Sequence, residues 1–99
     1  MRPIHLAQLD KERPVLILTR ELVRPHLARV TVAAITTTVR GLSTEVPVGT
    51  VNGLDAESVI SCDNILTVPT SDIGRRVGSL LPSQEVELAE AIRTAFDLV

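Results

Sequence analysis

The chain has no tryptophan and no tyrosine, and Phe96 is its one aromatic residue among 99. It therefore lacks the aromatic platform on which single-strand nucleic-acid binders commonly stack bases, so any base reading must rest on hydrogen bonds, arginine contacts and aliphatic surfaces. There is one cysteine, Cys62, in the apolar stretch Val59-Ile60-Ser61-Cys62. A lone thiol excludes an intramolecular disulfide and a multi-thiol zinc site, and a small core residue is expected. Only two histidines occur, His5 and His26, and nothing in their placement requires an acid–base pair. No glycine-rich phosphate loop, Cys/His cluster with ligand spacing or nucleophile elbow is present, which argues against metal and nucleotide-cofactor enzymes. No metal and no cofactor are expected. No apolar run approaches the ~20 residues that span a bilayer, and the start Met1-Arg2-Pro3-Ile4-His5-Leu6 lacks the apolar region and cleavage site of a secretion signal. The expectation is a cytoplasmic protein with no membrane association.

What the chain does have is aliphatic. Hydrophobic residues make up 44% of it, nearly all Val, Leu, Ile and Ala. That supports one globular domain over residues 1–99, small enough for oligomerisation to be a natural supplement to its core. The net charge of -2 argues against a general nucleic-acid binder, but the charge is unevenly spread. Residues 1–49 carry seven bases against four acids, and residues 50–99 carry three against eight. One face can thus be basic on an acidic, soluble protein. Nine of the ten bases are arginine, whose planar fork suits phosphate and base edges, although most are expected to be solvated surface residues.

The first half reads as strands, with candidates at Ile4–Leu9, Val15–Thr19 and Val30–Val39, and no helix. Leu9-Asp10-Lys11-Glu12-Arg13-Pro14 makes a charged turn, and Pro14 suits a strand start because it has no N–H for the ladder. Further strands are expected at Thr44–Val48, Ser58–Cys62 and Ile65–Pro69, with Asn52-Gly53 as a turn. Ser71 is expected to cap a short helical turn running through Val77. A longer helix is expected from Ser83, capped by that hydroxyl, with Leu88, Ile92, Ala95, Phe96 and Val99 on its inward face. The whole is a mainly β fold with a terminal helix, compatible with a small barrel.

Four blocks then carry a resemblance: Arg13-Pro14-Val15-Leu16-Ile17-Leu18, Val32-Ala33-Ala34-Ile35-Thr36, Ser58-Val59-Ile60-Ser61-Cys62-Asp63-Asn64-Ile65, and Ile73-Gly74-Arg75-Arg76-Val77-Gly78-Ser79-Leu80. In order and spacing they resemble the MazF/PemK endoribonuclease toxins of toxin–antitoxin pairs. The resemblance implies an SH3-like β-barrel with a C-terminal helix, a homodimer, and metal-independent cutting of single-stranded RNA at short sequences. It also implies an antitoxin partner whose flexible, acidic segment lies across the RNA groove. Residue by residue, Arg13 matches the catalytic arginine and Thr36 the catalytic threonine, while Ser58, Asp63 and Asn64 match RNA-binding positions. The expected products are a 2′,3′-cyclic phosphate and a 5′-hydroxyl.

Elementary chemistry agrees with those roles. When a 2′-hydroxyl attacks its neighbouring phosphorus, negative charge builds on the phosphorane oxygens, and a permanent cation such as Arg13 stabilises it. An always-protonated arginine is a poor base, so charge stabilisation comes first and proton donation to the leaving oxygen second. The chain departs from many relatives in having a shorter first loop, with Glu12 a weak substitute for an acid there. It also has Asn64 where Gln is frequent and Leu66 where Arg is frequent, so a different cut sequence is expected. Two competing readings are a gyrase-poisoning toxin of the same barrel class, acting through its C-terminal helix, and a non-enzymatic small barrel that binds a peptide or protein.

Overall fold

The computed structural model describes residues 2–99. Among these, six strands appear in chain order: β1 Pro3–Gln8, β2 Glu12–Ile17, β3 Arg29–Thr36, β4 Glu45–Val48, β5 Ser58–Pro69 and β6 Ile73–Ser79. Helix α1, Pro82–Ala95, follows, and single 3-10 turns fall at Arg24–His26, Thr50–Asn52 and Thr70–Asp72. The strands form one antiparallel sheet in the order β4-β5-β3-β2-β1-β6.

The sheet curls without closing. Its two edges, β4 and β6, share no ladder, so the expected closed barrel is corrected to a bent open sheet. The edges are instead tied through the turn after β4. Asn52 donates from Nδ2 to the Ser79 carbonyl at 3.0 Å, and a Cβ on Gly78 would overlap the Asn52 carbonyl oxygen. Gly53 ends that turn at φ 88, a left-handed conformation in which glycine carries no steric cost.

Curling gives the sheet two apolar sides. On the inner side Ile4, Leu16, Ala33, Ile35, Ile60 and Leu80 pack with Leu88 and Ala91 of α1. On the outer side a smaller cluster joins Ala7, Val15, Ile17, Val30, Val32 and Val68. Successive strand residues point to opposite faces, so this division follows directly from the alternation of β2 and β3. Cys62 is 1% exposed, the core residue expected of it, and burial together with the neighbouring Asp63 carboxylate pushes its thiol pKa up to about 11.

Several element boundaries differ from the expected ones. β2 begins at Glu12 because Arg13 and Pro14 already sit in register with Ala7 and Leu6 of β1. β3 stops at Thr36, where the Thr36 hydroxyl accepts the Thr38 N–H at 3.1 Å and turns the chain out of the sheet. The two strands expected at 58–62 and 65–69 are one bulged strand. Residues 70–79 do not make a helical turn capped by Ser71: only Thr70–Asp72 turns, and Ile73–Ser79 pairs with β1. The helix starts one residue earlier than expected and is not capped by Ser83. Pro82 fills its first turn, and Gln84 accepts the Leu81 N–H at 2.9 Å. Leu88, Ile92 and Ala95 pack inward as expected, but Phe96 and Val99 lie beyond the helix and are exposed. No helix among the described residues is long and apolar enough to cross a membrane.

Candidate active-site cleft

The β2–β3 ladder pairs Ile17 with Val32, Leu16 with Ala33 and Val15 with Ala34. Continued by two residues, that register sets Arg13 opposite Thr36. Both belong to the alternation set of the outer cluster, two residues beyond Val15 and Ala34 respectively. Thus two residues 23 positions apart come together because their strands are antiparallel neighbours, and on the face away from the helix.

The third contributor is the bulge in β5. Between Ala33 paired with Ile65 and Ala34 paired with Ser61, three residues of β5, Cys62 to Asn64, have no partners on β3. Cys62 turns into the core, while Asp63 and Asn64 are exposed. Bulges re-aim side chains in this way beside binding and catalytic sites. Arg13, Thr36, Asp63 and Asn64 then line one cleft of about 670 Å³, joined by Asp10 from the β1–β2 turn, by Arg40 from the β3–β4 connection and by Glu45 at the start of β4.

Arg13 is half-buried and held in a fork. Its Nε donates to Asp10 Oδ1 at 2.9 Å and its Nη2 to Asp10 Oδ2 at 3.1 Å. Hydrogen bonding to Arg13 is the main cause of an Asp10 pKa lowered to about 2, and the same pairing raises that of Arg13. Of five guanidinium N–H groups this engages two on one edge, leaving the other edge for a ligand. Thr36 uses its oxygen as an acceptor for the Thr38 N–H, so its hydroxyl proton remains available to a partner in the cleft. Asp63 accepts the Thr44 hydroxyl at 2.6 Å, tying the bulge to the start of β4.

Ser58 is not in this cleft. It is 7% exposed, donates to the Ala56 carbonyl at 2.9 Å, and borders a second depression together with Glu12 and Arg75. The sequence reading also passed over Asp10, Arg40 and Glu45. For Asp10 a signal existed, an acid three residues before Arg13 across a tight turn; for Arg40 and Glu45 nothing local pointed to the cleft. His5 and His26 do not make a pair: the His5 Nδ1 donates to the Gly74 carbonyl at 2.9 Å, and His26 lies in the exposed turn before β3.

The profile of the PemK-like, MazF-like toxins of type II toxin–antitoxin systems matches residues 3–96. The chain belongs to this PemK/MazF toxin family. Among its relatives, endoribonuclease MazF3 of Mycobacterium tuberculosis is 72% identical over 98 residues, covering 99% of this chain and 95% of the relative. The solved structure of the Mycobacterium tuberculosis toxin MazF-mt6 superposes with a TM-score of 0.97 at 71% identity, covering 99% of both chains. A mycobacterial endoribonuclease solved in complex with its cognate antitoxin superposes at 0.87, with 26% identity over 98% of this chain and 93% of that one.

Proposed function

We propose that this toxin is an endoribonuclease that cuts single-stranded RNA in the cleft between Arg13 and Thr36, by attack of the RNA's own 2′-hydroxyl on the adjacent phosphorus. The observation that carries the reading is the register that brings Arg13 and Thr36 to one face, with the free edge of the Arg13 fork left for a phosphate. In the step, the bond from the 2′-oxygen to phosphorus forms and the bond to the 5′-oxygen breaks. The 2′-hydroxyl gives up a proton and the leaving 5′-oxygen gains one, so water is not consumed. The products are a 2′,3′-cyclic phosphate and a 5′-hydroxyl.

Arg13 stabilises the charge that develops on the phosphorane oxygens. Permanently protonated and held in the Asp10 fork, it acts as a charge stabiliser first and as a proton donor to the leaving 5′-oxygen second. Asp10, held ionised with a pKa of about 2, is too weak a base to take the 2′-hydroxyl proton at neutral pH and serves to aim the guanidinium. Thr36 donates its hydroxyl proton to a phosphate oxygen. Asp63 and Asn64, pushed out by the bulge, hydrogen-bond the flanking bases, whereas Ser58 holds the turn that precedes β5.

The protein acts as a cytoplasmic homodimer, its bent sheet an open variant of the SH3-like barrel. The antitoxin complex solved for a relative supports a cognate antitoxin as partner here, with an acidic segment competing with RNA for the cleft arginines. The test is to incubate wild type and Arg13→Ala with a long single-stranded RNA in EDTA and map the new ends. Discrete cuts by wild type alone, bearing 5′-hydroxyls, are expected. No cuts across several diverse RNAs, or cuts that persist in Arg13→Ala, would overturn the reading.

A further inference from the structure

The cleft contains more acid than base: Asp10, Glu45 and Asp63 against Arg13 and Arg40. An RNA strand entering it meets a net negative charge unless the acids are neutralised locally. Asp10 is neutralised by Arg13, and Asp63 accepts a hydroxyl from Thr44. Glu45 is treated differently. Its Oε1 accepts the backbone N–H groups of Gly41 at 2.8 Å, Leu42 at 3.1 Å and Arg40 at 3.2 Å, and its Oε2 lies 3.3 Å from the Arg40 nitrogen. Three successive amides thus converge on one carboxylate, the nest geometry that ordinarily captures an anion. Gly41, at φ 75 with open space around its Cα, lets the loop turn its amides inward.

This arrangement has a second result. The loop it orders, between Thr36 and Glu45, carries Arg40, which lines the cleft. Among the described residues the Arg40 side chain has no carboxylate within ion-pairing distance and no hydrogen bond to protein. It is the cleft cation left fully available to a phosphate.

Resting on the endoribonuclease reading, we propose that Glu45 is a positioning residue that holds the β3–β4 loop so that Arg40 grips a phosphate flanking the scissile one. Glu45 itself never touches RNA, because the nest absorbs its charge. Its effect is therefore on substrate binding, transmitted through Arg40, and not on the chemical step at Arg13 and Thr36.

Two measurements test this. The first needs no RNA: amide hydrogen exchange of Arg40, Gly41 and Leu42 in the free protein. Exchange at these three is expected to rise at least about tenfold in Glu45→Gln, with the strand amides unchanged. The second uses the RNA oligonucleotide that wild type is found to cut. Glu45→Gln and Arg40→Ala are each expected to raise KM about tenfold, the scale of one charge-assisted contact, while kcat moves less than about twofold. The double variant is expected to be no worse than Arg40→Ala alone, and Glu45→Asp to recover part of the loss. Arg40→Ala changes an exposed side chain, so it keeps the test open even if Glu45→Gln folds poorly. Unchanged exchange at residues 40–42, a loss confined to kcat, or effects that multiply in the double variant would each overturn the proposal. Failure of wild type to cut any RNA sinks the endoribonuclease reading instead, and the exchange result still stands.

Discussion

At the scale of single residues, the cleft is governed by what Arg13 is bonded to. Asp10 takes one edge of the guanidinium through two hydrogen bonds, and its own pKa falls to about 2 as a result. A carboxyl whose folded pKa is depressed adds stability above its unfolded pKa and loses that contribution as the pH falls through the folded value. For Asp10 the loss therefore runs from the ordinary aspartate range down to about pH 2, and the contribution is small because the pair is solvent-exposed. A carbon-detected NMR titration is expected to give Asp10 a midpoint near 2 in wild type and a clearly higher one, shifted toward the ordinary aspartate range, in Arg13→Ala, where only the backbone hydrogen bonds of the turn still lower it. An ordinary midpoint in wild type would mean that the fork is not formed in solution. Arg13 and Thr36 were singled out in the sequence because the blocks around them carry a family's order and spacing, and the structure sets both in the cleft. Asp10 was not singled out, since an acid in a charged turn is usually just solvated, and only the closed geometry of the three-residue turn brings it onto the arginine. Ser58 shows the converse: it lies in a matching block, yet its hydroxyl is satisfied by the Ala56 carbonyl away from the cleft.

At the scale of elements, the helix is fastened by side-chain amides rather than by a hydroxyl cap. Asn52 donates to Gln84 Oε1 at 2.6 Å and accepts the Gly49 N–H at 3.0 Å, while Gln84 reaches the Pro47 carbonyl at 3.2 Å. Both residues are buried. Removing one leaves buried partners unsatisfied, so Asn52→Ala is expected to destabilise the fold by about 2–3 kcal/mol. Urea denaturation checks this, and a loss within the ~0.5 kcal/mol of a surface change would show the network to be dispensable. Sequence reasoning placed the start of the helix within one residue because its apolar spacing is a local signal, but it carried the helical face on to Val99, four residues past the end at Ala95. It chose Ser83 as the cap because hydroxyls commonly play that part, whereas Gln84 is selected by a partner 32 residues away. The stretch Ile73–Ser79 was misread for the same kind of reason. Its glycines and arginines carry no β preference, and pairing with β1 decides the matter. The bulge in β5 was likewise invisible, since Asp63-Asn64 looks locally like an interruption between strands.

At the scale of the whole molecule, the open sheet is held in its curl where the β4 turn meets β6. Gly78 permits that approach: a Cβ there would overlap the Asn52 carbonyl, which itself cannot move without disturbing the amide network. Gly78→Ala is expected to cost about 3 kcal/mol or more from overpacking, whereas Gly41→Ala, strained in φ but with nothing near its Cα, is expected to cost about 1 kcal/mol. Thermal unfolding of the two variants side by side checks the contrast, and equal losses would mean that the edges do not depend on this contact. The first four strands and the terminal helix were readable from pattern alone. The open edge was not, because closure depends on which strands meet after the chain has curled, and alternation reports only which side of the sheet each residue faces.

The bulge at Cys62–Asn64 has one more implication, for how such a toxin changes over generations. Asp63 and Asn64 stand outside the β3–β5 ladder and outside both apolar clusters, and of the two only Asp63 is tied down, by the Thr44 hydroxyl, so the fold asks little of the identity of Asn64. Inheritance can exchange the Asn64 side chain, and so change what this part of the cleft presents, without first having to repair a broken scaffold. Cys62, buried in the core, is the fixed post, Asp63 is the strut, and Asn64 is the free variable with which a lineage can reshape the cleft wall.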